Sequence, residues 1–486
     1  MPTYDLPRRL RAGVAPFLLG LAFVALTGCP NANEPGSGRP PNAEQWYRRA
    51  QKAFVEADFD DAHDSVSRAL AITPDDPEVE ELAAQIALTN LEYAEALRLL
   101  KDVPTAQAAG IRGRALWYKG DLEAAAVELD KMLNDPGVKD DWAKATTKLA
   151  RHAAGRTPFV LSGNILASVE MVHVNPGGAP FFVIPLEIDG ESALALIATG
   201  SAEVVLDSAT RPEPSWVSLR FDQRFEVHDV PTLAQDLSGI SKEVGAPIKA
   251  LIGVNLLRHL NATMDFEGRQ FVVRSFSAPP PPHATRLALH YVRGGGMLMR
   301  GSFGGEKGPR AALMVDTARP FPIALDEKGW EKAGVKMETL RSVDSDPEKK
   351  LREGLVPVLR IGAFDVPHVQ GVSGISLTEL EKVASIDLDG LLGAGFLANF
   401  RCTFADEGRV LWIEDDSAMQ ELMREQSMGP TDVGAVPPGM SPGGIPLGPP
   451  ALLPGDGGFG QGLTPSLGPD PGAAAPGAKK RKKNKP

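Results

Sequence analysis

Cysteine is scarce in this sequence. Cys29 and Cys402 are the only two among 486 residues, so no disulfide framework can be what holds the chain together. Histidine builds no metal site either. His152, His173, His228, His259, His283, His290 and His368 are scattered, none at the H-x₃-H spacing, and the thiols are too few to complete a ligand set. Gly294, Gly295 and Gly296 lack the Lys-Ser or Lys-Thr ending of a phosphate loop and read as a hairpin turn. A Gly-x-Ser-x-Gly nucleophile elbow is missing as well. These absences leave no cofactor and no metal to expect. Excess basic charge is also lacking. The formal net charge is −11, and −13 from Cys29 onward, because residues 1–28 carry three Arg and one Asp. That balance argues against nucleic acid as the main partner. Finally, the apolar run at residues 12–26 is shorter than the roughly 20 residues a transmembrane helix needs.

That short run has a different meaning. Arg8, Arg9 and Arg11 precede it, and it ends in Leu26, Thr27, Gly28 and Cys29. A basic start, a short apolar stretch and small residues before a cut site describe a secretory signal at 1–28. The four residues ending in Cys29 resemble the lipobox of bacterial lipoproteins. The resemblance implies a diacylglycerol on the Cys29 thiol, cleavage before it and acylation of the new amino group, which together hold a protein firmly to a membrane. With Cys29 so engaged, Cys402 stands alone and reads as a small buried hydrophobe between Phe400 and Phe404. Pro30 follows where an Asp would resemble an inner-membrane retention signal. The expected location is therefore the cell envelope, at the outer membrane, facing the periplasm or the cell surface.

The mature chain divides by composition. Residues 29–41 are rich in Pro, Gly and Asn and read as a tether. Residues 42–155 are rich in Ala, Leu, Glu and Asp with helical periodicity. Trp46, Ala50, Ala62, Val66, Ala69 and Pro74 fall at spacings that resemble a tetratricopeptide repeat, in which small residues let paired helices touch and Pro ends the second helix. Ala96 and Leu100 lie 34 residues after Ala62 and Val66, a second copy in register. A weaker third, through Asp121 and Leu129, shortens the period to 29, and a capping helix follows near Trp142. A generic helical bundle is the plainer alternative. Residues 159–275 and 287–415 carry short runs of Val, Ile, Leu and Phe between turn residues and read as two β-rich segments, joined by a Pro-rich linker at 276–286. A short helix is expected at 416–428. The Pro- and Gly-rich stretch 429–486, ending in a Lys/Arg run without aromatics, is expected to be disordered and solvated.

The two β-rich segments repeat one another's order of parts. In the first, a strand at 182–190 leads through the apolar run 193–197 into Ala198, Thr199, Gly200 and Ser201, then Val204 to Asp207. In the second, a strand at 296–303 leads through 311–315 into Asp316, Thr317 and Ala318, then Pro322 to Asp326. Later come Leu251, Ile252 and Gly253 in one and Leu391, Leu392 and Gly393 in the other. Each closes on two further strands, at 262–266 and 270–274 and at 401–404 and 409–413.

This order resembles the pepsin and retropepsin fold of aspartic proteases, one lobe per segment. The resemblance implies a hydrophobic strand entering Asp-Thr-Gly on a tight loop in each lobe, the later hydrophobic pair and Gly packing beneath it. It also implies chemistry: two Asp side chains facing each other and sharing a proton, since like charges that close cannot both ionise. One acts as base towards water, the other as acid, and the pair titrates as a unit. The Thr hydroxyls brace the loops.

At the decisive places the sequence departs from that pattern. Ala198 stands where the first Asp belongs, with Thr199 and Gly200 kept; the second lobe keeps Asp316 and Thr317 but has Ala318 for Gly. One carboxylate is not a dyad. Asp207 and Asp326, at equivalent places beyond the loops, read as turn residues rather than substitutes. The fold class expected is thus an N-terminal helical-repeat region followed by two mainly-β, acid-protease-like lobes. The function expected is that of an exported, lipid-anchored scaffold binding peptides or proteins through its repeats and its cleft, with the lobes non-catalytic. The competing reading is an active aspartic endopeptidase using Asp316, and a variant of it has Asp316 lobes pairing between two chains.

Overall fold

A computed structural model describes residues 38–172, 174, 180–293, 295–343 and 351–415. The signal segment, Cys29, the helix expected at 416–428 and the tail lie outside these residues.

Seven helices come first: Pro41–Val55, Phe59–Ile72, Pro77–Thr89, Tyr93–Leu99, Ala106–Lys119, Leu122–Leu133 and Asp141–Arg151. The first begins at Pro41, the last residue of the stretch read as tether. Their starts are chemically marked. Asp76 accepts from the N–H groups of Glu78 and Val79, Thr105 from Ala108 and Asp140 from Ala143. Each such cap is worth about 1 kcal/mol, because it satisfies donors that no helical carbonyl can reach. Successive helices pack in antiparallel pairs whose seams are lined by fully buried Ala50, Ala62, Ala84, Ala96, Ala115 and Ala125. Larger side chains at those positions would push the helix axes apart.

Two β lobes follow, and they are topological copies. In the first, Val183–Ile188, Glu191–Ile197, Ile248–Ile252, Val204–Asp207, Phe225–Gln235 and Ser215–Asp222 are each paired to the next, and the last pairs back to the first, which closes a six-stranded barrel. In the second, Gly296–Phe303, Arg310–Asp316, Gly390–Gly393, Ile323–Leu325, Phe364–Ser373 and Arg352–Ile361 close in the same way. Parallel pairs recur at the same two places: Glu191–Ile197 with Ile248–Ile252 and Arg310–Asp316 with Gly390–Gly393, then Val204–Asp207 with Phe225–Gln235 and Ile323–Leu325 with Phe364–Ser373. Closure leaves few strand edges to solvent. Both barrels fill with aliphatic and aromatic side chains, among them Phe182, Ile197 and Ile252 in one and Val315, Ile323 and Leu392 in the other.

Each barrel also buries part of its outer face. Val183, Leu196, Val205 and Leu251 of the first pack with Leu237 and Val244, which flank and end the short helix Ser238–Val244. Thr378–Ala384 takes the corresponding place on the second lobe. The β-rich reading of the sequence gave no sign of either helix, because seven residues carry too little periodicity.

A third sheet joins the lobes. Its order runs Thr285–Ala288, Val410–Asp415, Phe400–Ala405, Thr263–Asp265, Gln270–Arg274, Leu166–Glu170. The seam is the pairing of Phe400–Ala405 with Thr263–Asp265, where Thr403 lies opposite Thr263 with their hydroxyls 2.9 Å apart. Cys402, 1% exposed, faces Met264 across it, a small apolar filler. The sheet begins at Thr285, inside the segment read as linker.

The helical region is fastened to both lobes along the edge formed by its turns. From the second lobe, Arg300 and Arg310 reach Asp58 at 3.1 and 2.5 Å, His290 meets Asn90 at 2.9 Å, and the Asp387 N–H donates to the Val55 carbonyl at 2.8 Å. From the first, Arg258 donates to the Tyr93 hydroxyl at 3.0 Å and Trp216 to the Leu149 carbonyl at 3.3 Å. The apolar core of the helices runs without a break into Leu298, Met314 and Leu391 of the second lobe.

Candidate functional site

The loops 198–200 and 316–318 leave equivalent strand ends. Ile197 sits beside Ile252 and Asp316 beside Gly393, each in a parallel pair. The glycine that follows each later strand is demanded by contact. A Cβ on Gly253 would lie 2.2 Å from the Glu203 carbonyl oxygen, and one on Gly393 would lie 2.1 Å from that of Phe321. The chain after each loop therefore crosses directly over this glycine, so the loop is held from below.

The two loops meet. Thr199 N–H donates to Thr317 Oγ1 at 3.1 Å, and Thr317 N–H donates to Thr199 Oγ1 at 3.2 Å. Each hydroxyl then donates across the interface, Thr199 to the Val315 carbonyl at 3.0 Å and Thr317 to the Ile197 carbonyl at 2.6 Å. Both threonines are wholly buried. Because the N–H and hydroxyl of each threonine have a partner in the other lobe, the loops cannot separate without leaving buried donors and acceptors unmatched.

Asp316 lies against the first loop. A Cβ on Gly200 would come within 2.6 Å of its Cγ, so Gly200 is what lets the carboxylate approach the opposite backbone. Its Oδ1 accepts from the Ala318 N–H at 3.0 Å, the Gly200 N–H also bonds to it, and Arg319 Nε stands 3.6 Å from Oδ2. Burial pushes the Asp316 carboxyl above the ordinary range, and these donors and Arg319 pull back less strongly. The carboxylate is only partly shielded, with 20% of its side chain exposed.

Ala198, 2% exposed, packs in the apolar cluster of Val205, Leu237 and Leu251, with Ala318 against the same cluster. The groups that hold Asp316 are backbone N–H donors and a guanidinium. Chemically the site offers one proton-holding acid and a methyl group where its partner in a dyad would stand. General acid and general base at a single water need two such groups.

Asp207 and Asp326 do other work. Asp207 pairs with Lys249 at 2.9 Å, and Asp326 caps the helix Glu327–Lys332 by accepting from the Gly329 N–H at 2.8 Å. Neither turns to the loops. Two residues escaped sequence reasoning. Arg319, three positions after Asp316, tempers its charge. Glu203, on the chain leaving the first loop, is buried at 3% exposure and accepts from Trp117, Trp142 and Asn255. Its one visible signal was a lone acid in the otherwise apolar run from Ala202 to Leu206.

No family model matches the chain, and no curated protein matches it. Among solved structures, a retropepsin-like aspartic protease from Rickettsia conorii aligns over 28% of this chain and 95% of its own, with 20% identity and a TM-score of 0.21.

Proposed function

We propose that this chain is an exported envelope lipoprotein, anchored through Cys29, whose protease-like lobes bind peptide or protein segments without hydrolysing them. The observation that carries the reading is the pairing of Asp316 with a loop that has Ala198 in place of a second acid, packed into an apolar cluster. A bound segment would find a cleft and a hydrogen-bonding carboxylate there, but no second group to complete proton transfer.

The intramolecular grip of Thr199 and Thr317 bears on the competing reading. An enzyme assembled from Asp316 lobes of two chains would have to break these buried bonds first. The helical region, whose turn edge is taken up by the lobes, serves in this account to hold them in one orientation, and its remaining face is open to further protein ligands. Among the described residues no helix is long and apolar enough to cross a membrane.

The test uses protein lacking residues 1–29 and a library of unfolded peptides. The proposal expects saturable binding, recovery of every bound peptide at its original mass, and weaker binding when Asp316 is replaced by Asn. Peptides recovered cut, or no binding at all, would oppose it.

A further inference from the structure

A cavity of about 150 Å³ lies where the helical region meets the first lobe, and neither Thr199 nor Thr317 lines it. Trp117, Tyr118, Phe159, Glu203, Asn255 and His259 contribute to its wall.

Glu203 gives the cavity its character. Its Oε1 accepts three N–H groups, from Trp117 at 3.2 Å, Trp142 at 3.3 Å and Asn255 at 3.2 Å. Its Oε2 has no hydrogen-bond partner among the described residues, and Glu203 lines the cavity. Arg258 also lines the cavity and eases the Glu203 charge from a distance, but its guanidinium does not contact the carboxylate. Arg258 Nη1 is given to the Tyr93 hydroxyl at 3.0 Å, Nη2 to Asn255 Oδ1 at 2.5 Å, and Nε is shut off from the cavity. His259 adds a second acceptor. Its ring stacks on Phe159 at 4.4 Å and its Nδ1 lies 2.7 Å from the Asn255 carbonyl, which makes Nδ1 the donor and leaves Nε2 as a lone pair. Lys119 at the rim is exposed.

A buried carboxylate with one oxygen idle is costly unless something positive meets it. Aromatic walls favour a cation over most other guests, and they also shelter methylenes. We propose that this cavity binds a primary ammonium group on a short aliphatic chain, with Glu203 Oε2 and His259 Nε2 accepting its N–H donors and Trp117 and Tyr118 flanking the chain. Burial pushes the Glu203 carboxyl up, and a bound cation restores its ionised form. The group belongs to a free amine or to the lysine side chain of another protein, and both present the same chemistry.

The experiment titrates protein lacking residues 1–29 with n-butylammonium, Nα-acetyl-lysine amide and n-butanol, following quenching of tryptophan fluorescence. Saturable binding of n-butylammonium, no saturable binding of n-butanol, and weakening of about tenfold or more in Glu203→Gln support the site. Parallel binding of the lysine derivative points to a protein source, and its failure beside n-butylammonium binding points to a free amine. The wild-type comparison of amine with alcohol stands even if Glu203→Gln misfolds. No saturable amine binding, equal binding of the alcohol, or a folded Glu203→Gln protein that binds as tightly as the wild type would overturn it.

Discussion

Thr199 and Thr317 exchange hydrogen bonds, each backbone N–H donating to the other's hydroxyl at 3.1 and 3.2 Å, 118 residues apart in sequence. Through this pair the two barrels are joined, and the loop that carries Asp316 is locked against the loop that carries Ala198.

Replacing Thr317 by Val keeps the shape but removes the acceptor of the Thr199 N–H and the donor to the Ile197 carbonyl. Unmatched buried groups cost about 1–3 kcal/mol each. The urea midpoint should fall by a corresponding amount, about 2–4 kcal/mol in stability. Thr199→Val removes the other two bonds and should cost about as much, and the double variant less than the sum, because breaking one half of the grip already loosens the loops that the other half holds. Additive losses would mean that the loops are not coupled.

Asp316 sets a pH dependence whose sign follows from burial. Its carboxyl is held above its unfolded value. The stability it contributes is therefore fully present below the unfolded pKa, about 3.9, and lost as pH rises through the folded pKa. Asp316→Asn should remove this slope and match or exceed the wild type in stability at neutral pH. Parallel melting temperatures of the two proteins across pH 3–7 would contradict the assignment.

The seam between helices and lobes should rest more on Glu203 than on its surface ion pairs. Glu203→Ala strips the acceptor from two buried N–H groups and a third, on Trp142, that is part-buried, and should cost about 2–5 kcal/mol. Asp58→Ala breaks the contacts to Arg300 and Arg310, which are partly solvated, and should cost less than about 1 kcal/mol. Urea unfolding of both variants ranks them directly.

What the sequence made legible was local. The run into Ala198, Thr199 and Gly200, its echo at Asp316 and Thr317, and the later Ile252–Gly253 and Leu392–Gly393 pairs could be read because each is a contiguous pattern of apolar residues and small turn formers. The helical region followed by two acid-protease-like lobes was legible for the same reason. Partnership at a distance was not. Nothing near Thr263 announces that it faces Thr403 across the central sheet, and nothing near Glu203 names Trp117 and Trp142, some 86 and 61 positions away, as its donors.

The anchor makes a separate prediction. Mass spectrometry of the membrane fraction should find acyl chains on the residue 29 peptide, and Cys29→Ser should move the protein to the soluble fraction. An unmodified Cys29 in membrane-derived protein would remove the lipoprotein reading while leaving the lobes untouched.

The most direct test of the central claim is an assay for hydrolysis. Protein lacking residues 1–29 is incubated with unfolded casein between pH 3 and 6, with and without pepstatin, beside its Asp316→Asn variant. With Ala198 opposite the single acid, the expected result is intact casein in every tube. Cleavage that pepstatin blocks and Asp316→Asn abolishes would contradict the account, and would mean that one carboxylate in this cleft suffices or that a second is recruited from elsewhere.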